Sequence, residues 1–164
     1  MATVDMTSGT AGFVTSDSYS AKPYFVERYV DLADVVTAKG SAIAQGDVIQ
    51  VLDIPAGSYV LAGGFEVISE MTGTSTDATV DMGVTGGDVD MFVDGFDLDG
   101  ASAGDFSAVP AATVGSKVFS STDDTVDLLV VTQTGTITGG ELRVFALMLD
   151  VNGRSKPGLA TAGS

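Results

Sequence analysis

The chain has 164 residues, the length of one domain with some to spare for terminal arms, and 22 acidic against 7 basic residues give a net charge of −15. That balance excludes nucleic acid and an anionic membrane surface as partners, because both need clustered Lys and Arg, and only Arg154 to Lys156 cluster. With no Cys and no His, disulfides, thiol chemistry and His-activated nucleophiles are excluded as well.

Gly is abundant and Glu, Lys and Arg are scarce, which favours strands and turns over helices. The N-terminus lacks the basic and apolar regions of a secretory signal, and no apolar run reaches the ~18 residues of a membrane span. Synthesis in a cytoplasm is therefore expected.

Residues 1–21 are small and polar, with Phe13 and Tyr19 as the only aromatics. They read either as a disordered terminus or as an extended arm that orders on a neighbouring subunit, with Phe13 and Tyr19 as its anchors. Residues 22–151 form the β-sandwich domain, and residues 152–164 an exposed tail.

Tyr24 to Leu32 is a first strand, with Tyr24, Val26, Arg28 and Val30 on one side and Phe25, Glu27, Tyr29 and Asp31 on the other. Ala33 to Ala44 reads as a loop with at most one helical turn capped by Asp34. Asp47 to Ile54 is apolar on both faces, with Val48, Leu52 and Ile54 against Ile49 and Val51. That pattern fits a covered central strand or a subunit interface. Pro55-Ala56-Gly57 is a turn. Ser58 to Ala62 and Phe65 to Met71 follow, with Gly63-Gly64 as a bulge or bend between them. Ala78, Val80, Met82 and Val84 then alternate with polar residues, and a hairpin with the preceding strand is expected.

Residues 86–104 are acidic, with Asp88, Asp90, Asp94, Asp97 and Asp99, and Ala101 to Pro110 reads as loop. Val114 to Phe119 is a short strand. Thr125 to Gln133 and Glu141 to Val151 are strong strands, the latter with Leu142, Val144, Ala146 and Met148 on one face and Arg143, Phe145, Leu147 and Leu149 on the other. Thr134 to Gly140 reads as a turn region. Strand signals at roughly ten-residue spacing predict an all-β antiparallel sandwich, jelly-roll-like, of about eight strands.

The residues offer no catalytic set. Ser116 and Lys117 are adjacent on a strand and point to opposite faces, so they make no dyad. Carboxylates are plentiful, but Trp is absent and Tyr24, Tyr29 and Tyr59 can be claimed by the core, so neither a glycosidase cleft nor a sugar platform is expected. Asp88, Asp90, Asp94, Asp97 and Asp99 are the calcium candidates. From Asp88, position 5 of an EF-hand loop falls on Phe92 and position 6 on Val93, so the motif fails and a solvated acidic loop is the expectation. No cofactor is called for.

The run Gly46-Asp-Val-Ile-Gln-Val-Leu-Asp-Ile-Pro-Ala-Gly57, with Val60 to Val67, Val80 to Asp88, Phe92 to Leu98 and Gly140 to Val151, resembles small virion structural proteins of marine and environmental tailed phages. The resemblance covers Tyr24 to Val151. It implies a capsid decoration, or cement, protein on the outer surface of the virion, a homotrimer that binds the major capsid protein and bridges its subunits. Val48, Leu52, Phe145, Leu147 and Leu149 then join Phe13 and Tyr19 as partner-contact candidates. A head or tail fibre that binds a receptor is the alternative within virions, and a calcium-dependent glycan-binding module of a cell surface is the alternative outside them. None of these is an enzyme.

Overall fold

The computed structural model describes residues 3–5, 23–84, 87–110, 118–119 and 122–150. Its strands are β1 (Thr3–Asp5), β2 (Pro23–Asp31), β3 (Val48–Ile54), β4 (Ser58–Gly73), β5 (Asp77–Val84), β6 (Val93–Asp97), β7 (Phe106–Pro110), β8 (Val118–Phe119), β9 (Asp124–Thr134) and β10 (Ile137–Asp150), with one helix, α1 (Leu32–Lys39). Two sheets face each other. Sheet A has the order β1-β3-β9-β5-β6 and sheet B the order β2-β10-β4-β7, with β8 beside β4. From β2 onwards the chain changes sheet at each connection except β5–β6 and β7–β8. That is the double Greek key of a jelly roll.

The core forms because each strand presents one apolar row inward. Leu142, Val144, Ala146 and Met148 of β10, with Phe65 and Val67 of β4, meet Val126, Leu128 and Val130 of β9 and Ala78, Val80, Met82 and Val84 of β5. The alternation read from β2, β5 and β10 is the observed one. Phe92 is fully buried and its ring lies against Gly63, where a Cβ would come within 2.9 Å of Cγ.

Several sequence expectations are corrected. The segment after β2 is a helix of two turns, not a loop. Its cap is Asp31, whose carboxylate accepts the Ala33 N–H at 2.7 Å, and Gly40 ends it at φ 76° while donating to Val36 and Thr37 carbonyls. Asp31 serves strand and cap at once, which a segment-by-segment reading misses. Gly63-Gly64 does not carry the chain into another sheet: β4 continues for 16 residues, its pairing with β10 shifts register at Leu61 beside the glycine pair, and Gly63 is required for the Phe92 ring above it. Strand β3 buries apolar residues from both sides of its sequence alternation on one face, for a local reason. Its pairing with β9 shifts register between Gln50 and Leu52, and this bulge turns Val51 and Leu52 both inward. Part of the expected loop at Ala101 to Pro110 is strand β7, and Ile137–Gly140 belongs to β10.

The expected β4–β5 hairpin is absent, because the two strands lie in opposite sheets. Inward alternation suits two facing strands as well as two paired ones. The crossover at Thr74 to Thr76 instead pairs with the second crossover, between β9 and β10. Thr74 N–H donates to Thr136 O at 2.9 Å, Thr76 N–H to Thr134 O at 3.1 Å, and the Thr74 and Thr136 hydroxyls lie 2.9 Å apart. The chain thus crosses between sheets twice at one end of the sandwich, and the two crossings hold each other.

At the start of β3, α1 is tied to sheet A by a buried ion pair. Lys39 Nζ donates to the Asp47 carboxylate and to Ala42 O at 2.7 Å, and Asp47 also accepts the Ala44 N–H at 2.8 Å. Their side chains are 10% and 4% exposed.

Thr3–Asp5 pairs in parallel with Val48, Ile49 and Gln50 and so belongs to sheet A. Residues 1–2 and 6–21 of the expected arm, with Phe13 and Tyr19, and the whole expected tail, 152–164, lie outside the described residues, as do Ser116 and Lys117. Among the described residues no helix is long and apolar enough to cross a membrane.

Candidate interaction surface

The outward face of sheet B carries the chemistry that a core does not need. Alternation fixes it: the β10 residues that point away from Leu142, Val144, Ala146 and Met148 are Arg143, Phe145, Leu147 and Leu149. Register then aligns three strands across this face. Leu149 lies opposite Pro23 and Tyr59, Leu147 opposite Phe25 and Ala62, Phe145 opposite Glu27 and Gly64, and Arg143 opposite Tyr29 and Glu66. On the far side of β4, Phe106 of β7 pairs with Glu66.

The face is apolar at one end and charged at the other. Phe25 stacks on Phe145 with ring centroids 5.8 Å apart. Phe25, Tyr29 and Phe106 are 55%, 51% and 70% exposed, a large aromatic surface to leave in water. Arg143 bridges the charged end, with Glu66 at 2.8 Å and Glu27 at 3.9 Å. Asp31 and Glu141 follow in the next row.

The predicted contact residues separate in the structure. Phe145, Leu147 and Leu149 share this face and are half-buried within it. Val48 is half-buried on the outer side of sheet A, opposite Leu129 and near Val131. Leu52 is spent on the core. Tyr29, expected to be claimed by the core, is exposed. Phe25 and Phe106 are exposed aromatics of this face that the sequence does not single out. Phe25 sits in a strand whose outward side is unknown until its partner is, and Phe106 in a stretch that reads as loop.

The acidic loop is a weaker site. Among the described residues no three carboxylates are gathered to hold a metal ion. The Asp97 carboxylate accepts the Gly100 N–H at 3.0 Å, and Asp99 is exposed. The Asp90 carboxyl is raised above its ordinary value, chiefly by a hydrogen bond with Asp88, then by burial and by the charges of Asp88 and Asp94. A carboxyl raised in the folded state stabilises below the ordinary carboxylate range and loses that contribution as pH rises through the raised value. Asp90→Asn should therefore be slightly more stable than the parent at pH 7, by no more than about 0.5 kcal/mol given its exposure. The gain should vanish near pH 3, as thermal melts at the two pH values would show.

No protein-family model and no curated protein matches the chain. Solved structures do. A chain of the cyanophage Pam1 capsid asymmetric unit matches with a TM-score of 0.57 at 16% identity, over 88% of this chain and 97% of that one. A chain of the capsid of Ralstonia phage GP4 matches with 0.52 at 17% identity, over 84% and 91%. A chain of the Helicobacter pylori bacteriophage KHP30 capsid matches with 0.45 at 18% identity, over 76% and 86%. The sequence resemblance to phage structural proteins thus meets a likeness of fold to chains in phage capsids.

Proposed function

We propose that the protein is a capsid decoration protein that binds the outside of a tailed-phage head through the outward face of sheet B, bridges major capsid subunits and stabilises the shell. The observation that carries this reading is the exposed aromatic and aliphatic face built by Phe25, Phe145, Leu147, Leu149, Tyr29 and Phe106 on a chain that is otherwise strongly acidic. Interfaces concentrate such anchors and surround them with polar groups, as Arg143, Glu27 and Glu66 do here. The fold supports it too, since the match accounts for nearly the whole of a chain in the Pam1 capsid structure.

The mechanism is additive contact. Each copy adds buried apolar surface across a seam of the shell, and this surface must be exposed again before the seam opens. The smaller apolar patch of Val48, Leu129 and Val131 on sheet A is the contact between copies in a homotrimer. No step of this role needs a catalytic group, metal or cofactor.

The test is co-sedimentation with heads of the parent phage stripped of this chain. Phe25→Ser with Phe106→Ser should weaken binding at least about tenfold while folding is unchanged, because both rings are exposed. Unchanged binding would overturn the assignment of this face. Light scattering should return three times the 16.6 kDa chain mass in solution.

A further inference from the structure

Strand β2 is the outer strand of sheet B, and among the described residues nothing pairs with its far side. It differs from every other edge. Strands β6 and β7 have five residues each, β1 has three, and the pairing of β6 is interrupted by a register shift. By contrast, β2 pairs with β10 over all nine residues without a shift, and carries no Lys and no interior Pro. Proteins blunt long edges with such devices, because an open edge recruits other strands. An edge left long, regular and aromatic is suited to taking one.

Its outward side chains set the chemistry of the guest. A strand laid on β2 places alternate side chains opposite Phe25, Glu27 and Tyr29. Glu27 is exposed, and Arg143 lies 3.9 Å from it while holding Glu66 at 2.8 Å, so Glu27 has room for a second cation. The matching segment has an aromatic or aliphatic residue, then two positions on Lys or Arg, then two further on another apolar residue.

Outside β2 itself this chain does not supply that segment, because Lys22, Lys39, Lys117, Arg143, Arg154 and Lys156 each lack an apolar side chain at one or both of the positions two residues away. Residues 1–21 contain Asp5 and Asp17 and no Lys or Arg. A second copy paired along the full strand about a twofold axis would set Glu27 against Glu27. The net charge of −15 steers basic partners instead.

We propose that β2 is a docking strand for an extended, basic and apolar segment of another protein, which adds to sheet B as its next strand. This goes beyond the capsid reading. Where that reading holds, the segment belongs to the shell protein.

The experiment titrates the full, isotope-labelled chain with the peptide acetyl-Thr-Phe-Thr-Lys-Thr-Phe-Thr-amide, and with its counterpart bearing Glu for Lys, to concentrations of about 5 mM. The Lys peptide should shift the amide signals of Tyr24 to Val30 and bind about fivefold more tightly than the Glu peptide. Glu27→Lys should reverse that preference, and the milder Glu27→Gln should abolish it. The proposal is overturned if neither peptide moves the β2 signals, if both bind equally, or if the preference survives in Glu27→Gln. Failure to bind phage heads would overturn the capsid reading and leave the peptide result standing.

Discussion

Replacing Lys39 by Met should cost the protein about 3 kcal/mol or more, measured as a shift of the urea unfolding midpoint at pH 7. The side chain is nearly buried and its ammonium serves the Asp47 carboxylate, itself 4% exposed, and the Ala42 carbonyl. Met fills similar volume, so packing survives, but a carboxylate is left inside without its cation. Lys39→Met with Asp47→Asn should recover most of the loss. The amide oxygen still accepts the Ala44 N–H, and no charge remains to desolvate. Were the single variant as stable as the parent, the pair would not be what ties α1 to sheet A.

Gly73→Ala should be at least as damaging. Gly73 has φ 143°, a conformation that side chains rarely adopt, and an added Cβ would lie 2.0 Å from the Thr136 carbonyl oxygen. That oxygen accepts the Thr74 N–H in the bond between the two crossovers, so it cannot retreat without breaking the link. Gly135→Ala meets the Thr74 carbonyl oxygen at 2.3 Å from the other side, at φ 91°. Gly95 separates strain from collision: its φ is 65°, and an added Cβ would find nothing within 4 Å. Gly95→Ala should cost about 1 kcal/mol, and Gly73→Ala and Gly135→Ala about 3 kcal/mol or more each. Equal losses at all three positions would mean that the crossovers do not lock each other.

What can be read from the sequence follows from what is local. The inward rows of β2, β5 and β10 repeat every second residue, and period two needs no knowledge of the partner strand. Which strand pairs with which is not local. The β4 and β5 patterns fit a hairpin and two facing sheets equally, and only the pairing of β4 with β10 and of β5 with β9 decides it. The bulge that buries both Val51 and Leu52 depends on β9, so β3 by itself reads as a strand covered on both sides. The outward face of sheet B is half legible. Phe145, Leu147 and Leu149 stand out as apolar residues on the side of β10 that the core does not use. Glu27 and Phe25 can be assigned to one side of a strand, but that this side is outward follows from the pairing of β2 with β10. Phe106 carries one weak signal, a short run of strand-forming residues closed by Pro110.

The capsid role and the sheet B face meet in one measurement, a cryo-electron microscopy reconstruction of the parent phage head. Density for this jelly roll is expected on the outside of the shell, with Phe25, Phe145 and Leu147 turned toward the capsid surface. A head whose outer surface carries no density for the chain would contradict the capsid role.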